Sequence, residues 1–331
     1  MQQGLLFSLF LSLLFAWTPA SAVEVSSASQ QKFLQDHLLQ QKVSELVDLA
    51  IKDDIDALSF AVERISLPQQ EAARFLLLQH LEQQQVALSE NLFHFVEKQK
   101  NIVPVYQVLE KGEGYEFSVP AFDYIAIAHR LTKQWKQEQS VLNFILKAES
   151  GELILDEWLS GPDYLVQERE NLLLSEFDNL SAKVQHDLVQ QLTQVNVVVW
   201  LPSSSVMVKM AQVTGDLQLY KLLWLMRADF YVEQELERLA NVADDFAINQ
   251  IMLAADNPRL ATNALQYLVK IPKPFSEQVK QFLVKRLENS SDAPIVAQAL
   301  VEQGYQSWLK ELLNSNRRVE SQAILQVLSQ Q

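Results

Sequence analysis

The chain has no cysteine, only seven glycines, and no charged side chain before Glu24. Without cysteine there is neither a disulfide framework nor a thiolate for redox or metal chemistry, so an apolar core has to hold the fold. Also missing are the compact catalytic signatures His-Glu-x-x-His, Gly-x-Ser-x-Gly and Gly-x-x-x-x-Gly-Lys-Ser/Thr. Apart from Arg317-Arg318 there is no cluster of basic residues, and 41 Asp and Glu against 27 Lys and Arg leave a net charge of −14. That sign repels phosphate backbones, which excludes a nucleic-acid partner; for the rest, charge speaks to solubility rather than to function.

What is present begins with an apolar run, Leu5 to Trp17, followed by Thr18-Pro19 and the small residues Ala20-Ser21-Ala22. A run of thirteen residues falls short of the roughly twenty that span a bilayer, but it suits the core of an export signal. Residues 1–22 are therefore expected to be a signal peptide cut ahead of Val23, although Met1-Gln2-Gln3-Gly4 carries no Lys or Arg. With no cysteine at the cut there is no site for a lipid anchor. The mature chain is expected to be soluble, without stable membrane insertion, and periplasmic or secreted. The whole acidic balance travels with it.

Leu, Ala, Gln, Glu and Lys, all good helix formers, fill the segments between the glycines. Apolar residues recur at helical spacing in several of these segments. Ile55, Leu58, Val62 and Ile65 form one stripe; Val184, Leu188 and Leu192 form another; Phe275, Val279, Phe282, Leu283 and Leu287 form a third. Helices this short need neighbours to cover their apolar face. Among them, the pattern predicts single helices over 30–50 and 121–148, and Pro68, Pro258 and Pro294 are read as standing in first helical turns.

A repeat shows in the second half. Asp256-Asn257-Pro258-Arg259-Leu260-Ala261 matches Asp292-Ala293-Pro294-Ile295-Val296-Ala297, and Asp178 and Asp216 extend the series as helix-capping markers. On these residues the region from about 178 to 331 resembles the HEAT-like class of α-helical repeats, which implies stacked helical hairpins around a continuous core. The expected fold is all-α, an α-solenoid, with a helical region over 23–155 and the repeats over 156–331. One small β-hairpin insertion is expected near 103–119, where Val103, Val105, Tyr106 and Val108 precede a Gly112-Glu113-Gly114 turn and Tyr115, Phe117 and Val119 follow it. The aliphatic run Val195 to Leu201 reads as a buried connection.

Candidate chemistry is thin. His37, His80, His94, His129 and His186 show no paired ligand spacing, and Glu90 with His94 makes only two ligands. Ser29-Gln30-Gln31-Lys32 fits Ser-x-x-Lys without its companion motifs, and Ser29 reads better as a helix cap. Asp53-Asp54 and Asp244-Asp245 read as helix starts. The aromatics Trp200, Tyr220, Trp224, Phe230 and Tyr231 read as core. No catalytic, cofactor or metal residue is assigned. The expected function is that of an exported noncatalytic scaffold binding a protein or peptide in the bacterial periplasm, with Tyr106, Tyr115 and Phe117 as the contact element. An envelope-polymer hydrolase or lyase on a helical scaffold is the alternative.

Overall fold

The computed structural model describes residues 23–111, 114–194, 200–271 and 274–330. The expected signal segment, the hairpin tip Gly112-Glu113 and most of the aliphatic run, 195–199, lie outside the described residues. Among the described residues, eighteen α-helices, one short 3-10 helix and one three-stranded sheet make up the fold. It is an all-α helical-repeat architecture with a small β insertion. The chain divides into two compact units at Ser140/Val141. That boundary precedes the division read at 155/156, because Phe144, Ala148, Leu153 and Leu155 already pack into the second core.

In the first unit, α1 (Ser27–Leu34) and α2 (His37–Ile51) replace the single helix expected over 30–50. The break comes from Asp36, whose carboxylate accepts from the Leu38 and Leu39 amides and so starts a second helix. Likewise Ser26, rather than Ser29, caps α1 by accepting from the Ser29 amide. Helices α3 (Ile55–Glu63), α4 (Gln69–Gln83) and α5 (Glu90–Gln99) follow, and α6 (Tyr124–Glu149) begins in this unit. Leu46, Leu58, Leu77, Leu78, Leu81, Leu92 and Phe122 form its fully covered core. Each such side chain contributes roughly 1.5–3 kcal/mol of burial free energy.

The hairpin is where the alternation places it. Strands β2 (Tyr106–Lys111) and β3 (Glu116–Pro120) pair antiparallel, with Val108 opposite Val119 and Glu110 opposite Phe117. A third strand, β1 (Val23–Glu24), was not legible in the sequence; it adds to β2 in parallel. The hairpin is fixed from beneath by Glu71 of α4. This buried carboxylate accepts from the Val105 amide at 2.7 Å and the Tyr106 amide at 3.3 Å, two donors with no helical partner.

In the second unit, short α7 (Leu155–Trp158) is followed by α8 (Asp163–Glu176), α9 (Ala182–Thr193), α10 (Ser204–Thr214), α11 (Leu217–Leu225) and α12 (Phe230–Val242). Then come α13 (Asp245–Ala254), α14 (Ala261–Lys270), α15 (Glu277–Leu287), α16 (Ala293–Glu302), α17 (Gln306–Ser315) and α18 (Ser321–Ser329). Alternate helices pack in rows: α8, α10, α12, α14, α16 and α18 each meet the next, as do α9, α11 and α13. Sequential helices from α12 to α14 and from α15 to α18 also pack together. One core runs from Phe144 to Val327 through these rows, as the stacked-hairpin reading requires.

The true register of the repeat differs from the one suggested by the aspartates. Asp244 caps α13 by accepting from the Ala247 amide, and Ser276 caps α15 by accepting from the Val279 amide. Asn257 and Asn289 each form the same turn before the following helix. Their side-chain oxygens accept from Arg259 and Ser291, and their carbonyls accept from Leu260 and Ala261 or from Asp292 and Ala293. The displacement is therefore 32 residues, Asn257 onto Asn289, not the 36 of the Asp-x-Pro match. Of the aspartate markers, only Asp216 caps a helix with its side chain, accepting from Gln218 and Leu219. Asp178 pairs with Lys209, while Asp256 and Asp292 both bind Arg286. Pro294 stands in the first turn of α16 as expected, but Pro258 lies in the turn ahead of α14 and Pro68 immediately precedes α4.

Candidate functional site

The turns joining the paired helices of the second unit lie next to one another and are tied in series. Asn257, in the turn 255–260, donates its Nδ2 to the carbonyl of Trp224 at the end of α11 at 2.9 Å and to that of Met226, in the preceding turn, at 3.2 Å. Arg286 then links Asp256 at 2.5 Å to Asp292 at 3.1 Å, in the turn after it. The Glu320 amide donates to the Leu287 carbonyl, and Asn316 Nδ2 to Glu288, which joins the last turn. The result is a ridge of turns along one edge of the unit.

A cavity of about 660 Å³ opens on this ridge, where the end of α11 and the residues after it meet the end of α13 and the turn before α14. Its size falls in the range usual for ligand pockets, roughly 300–1,000 Å³. Trp224, Met226, Ala228, Leu253 and Pro258 give it apolar walls, with Leu225 at 82% exposure beside them. Trp224 is itself buried, and its indole N–H donates to Gln250 at 3.2 Å, which fixes the ring. The polar lining is cationic: Lys221 from α11, Arg227 from the first turn and Arg259 from the second, all exposed. Among the described residues no carboxylate lies within ion-pair distance of any of the three. The one carboxylate of the lining, Asp256, already has Arg286 as its counter-ion.

Beneath the same helices lies a buried polar cluster. Glu235 of α12 is 1% exposed, and its carboxylate accepts from Tyr220 Oη at 2.6 Å, from Gln212 Nε2 at 2.6 Å and from Arg238 through two donors at 2.7 Å. Burial, and then the hydrogen bond to Glu235, push the Tyr220 phenol well above its ordinary range. Both carboxylate oxygens of Glu235 are occupied by protein donors from three helices, so the cluster locks α10, α11 and α12 together.

The sequence-derived contact residues separate. Tyr115 (65% exposed), just ahead of β3, and Phe117 (39%), within it, have rings 5.7 Å apart, whereas Tyr106 is half-buried against the core of the first unit. The aromatic cluster divides too. Tyr220 and Trp224 are core, as expected, but Phe230 (68% exposed) and Tyr231 are not. They form the first turn of α12, ahead of its buried stripe Val232, Glu235, Leu236 and Leu239. The histidines remain dispersed; His80 bonds the Leu76 carbonyl within its own helix and His186 meets Gln190. Among the described residues no three His, Asp or Glu side chains converge to hold a metal, and no helix is long and apolar enough to cross a membrane.

No signal in a single segment marks the ridge cavity, since its lining is drawn from two separate stretches, 221–228 and 253–259. The fold and this cavity define an all-α helical-repeat protein with a cationic, apolar-walled pocket on its turn ridge. No protein-family model matches the chain, nor does any curated protein or solved structure.

Proposed function

We propose that this is an exported helical-repeat protein that works by binding a protein or peptide in the bacterial periplasm, and that the contact is made at the turn ridge of its second unit. The observation that supports this most is the cavity between the α11–α12 and α13–α14 turns. It pairs apolar walls with exposed Leu225 and Leu253, the mixture that binding surfaces use for their central contacts. A hydrolase or lyase would be favoured by two carboxylates, or a carboxylate and a histidine, converging in a pocket. This lining has Asp256 alone, neutralised by Arg286, and no histidine.

The test is site-specific photo-crosslinking in cells. A benzophenone side chain in place of Leu225 is expected to give a discrete protein adduct in the envelope fraction, and the same probe at exposed Leu325 of α18 is expected to give none. The recovered protein should begin at Val23. Equal labelling at both positions, or none at Leu225, would count against binding at the ridge; a start elsewhere would refute the export reading.

A further inference from the structure

Resting on that binding role, we propose that the ridge cavity takes an acidic peptide segment, one that seats an apolar side chain against Trp224 while its carboxylates pair with Lys221, Arg227 and Arg259. Two independent features of the site lead there. Of the 26 Lys and Arg among the described residues, ten are in ion pairs, so an unpaired cation is not unusual by itself. What sets Lys221, Arg227 and Arg259 apart is that three unpaired cations converge on one opening whose single carboxylate already has a counter-ion. They arrive from separate places, a helix and two successive turns, so the charge is spread around the mouth rather than held at one point. The nearby acids do not cancel it. Asp256 is held by Arg286, and Asp229 is occupied capping α12 and accepting from Ser204.

The second feature is the floor. Trp224 presents a fixed, buried ring whose N–H is already satisfied by Gln250, so what it offers a ligand is apolar surface. Carboxylate-bearing residues flanking an aliphatic or aromatic one match this arrangement: charge-assisted hydrogen bonds at the rim, where arginine accepts carboxylates bidentately, and desolvated apolar contact at the centre. A nucleic acid does not match, because the lining offers no exposed aromatic face on which a base could stack: its one indole, Trp224, is buried. Anchoring of the loops by Asn257 leaves little to reorganise on binding, which favours affinity.

The experiment is a fluorescence-anisotropy titration of the purified protein with two labelled dodecapeptides: one with Asp and Glu flanking a central Leu-Phe pair, the other its Asn/Gln isostere. Phosphatidylglycerol vesicles serve as a third probe. The acidic peptide is expected to bind at least about tenfold tighter than the isostere, and to weaken by about tenfold between 0.1 and 0.5 M salt as the exposed charges are screened. Arg227→Glu with Arg259→Glu should lose that preference with unchanged thermal melting, since both side chains are exposed and unpaired within the described residues. A double variant that fails to melt normally is replaced by Lys221→Glu, for which the same loss is expected. Equal affinity for the two peptides, binding that survives these variants, or preference for vesicles over peptide would overturn the proposal. If the isostere binds equally and Leu253→Glu abolishes it, the binding role stands and only the acidic specificity falls. If neither peptide binds and Leu225 gives no crosslink, both fall.

Discussion

At the scale of single residues, the sequence shows most clearly what acts locally. Asp54 and Asp244 cap α3 and α13 as their positions suggest, because a cap needs only an amide three residues ahead. Glu71, Glu235 and Asn257 could not be read this way. Their partners lie up to 35 residues off in the chain, so nothing adjacent distinguishes them from other polar helix or turn residues. Glu235 carries the largest consequence. Its charge is buried and Arg238 is its only cationic partner among the described residues. Arg238→Met should therefore cost about 3 kcal/mol in urea unfolding, because the carboxylate is left buried without a counter-charge. A loss below about 1 kcal/mol would mean that the hydrogen bonds from Tyr220 and Gln212 suffice to hold it.

At the scale of elements, helical periodicity was legible and repeat register was not. The apolar stripes predicted on Ile55–Ile65, Val184–Leu192 and Phe275–Leu287 fall on α3, α9 and α15, with Ile65 and Phe275 just beyond the helix ends, because a buried face must recur with the helix whatever the neighbours do. Register misled because Asp256 and Asp292 look alike in sequence yet stand at different points of the hairpin, converging on Arg286. The asparagines carry the register through their turn geometry. They are not equivalent in load: Asn257 also reaches two carbonyls at the end of α11 and just after it, whereas the other side-chain contact of Asn289 is with Ser291, two residues on. Asn257→Ala should thus destabilise the second unit by about 1–3 kcal/mol and Asn289→Ala by about 1 kcal/mol or less, measured by chemical unfolding. The opposite order would show that the cross-turn anchor contributes little.

At the scale of the whole molecule, the fold class followed from composition: few glycines, no cysteine and abundant helix formers admit little but short helices covering one another. The site did not follow. Lys221, Arg227 and Arg259 are unremarkable letters until the turns of α11–α12 and α13–α14 are laid side by side, and exposed aromatic residues on the hairpin drew the eye instead. Two surfaces thus compete as contact regions, the hairpin with Tyr115 and Phe117 in the first unit and the ridge cavity in the second. Hydrogen exchange with the acidic dodecapeptide at saturation separates them most directly. The account predicts slowed exchange confined to the amides of 221–228 and 253–260, with 106–120 unchanged. Protection of the hairpin instead, or of neither region, would contradict it.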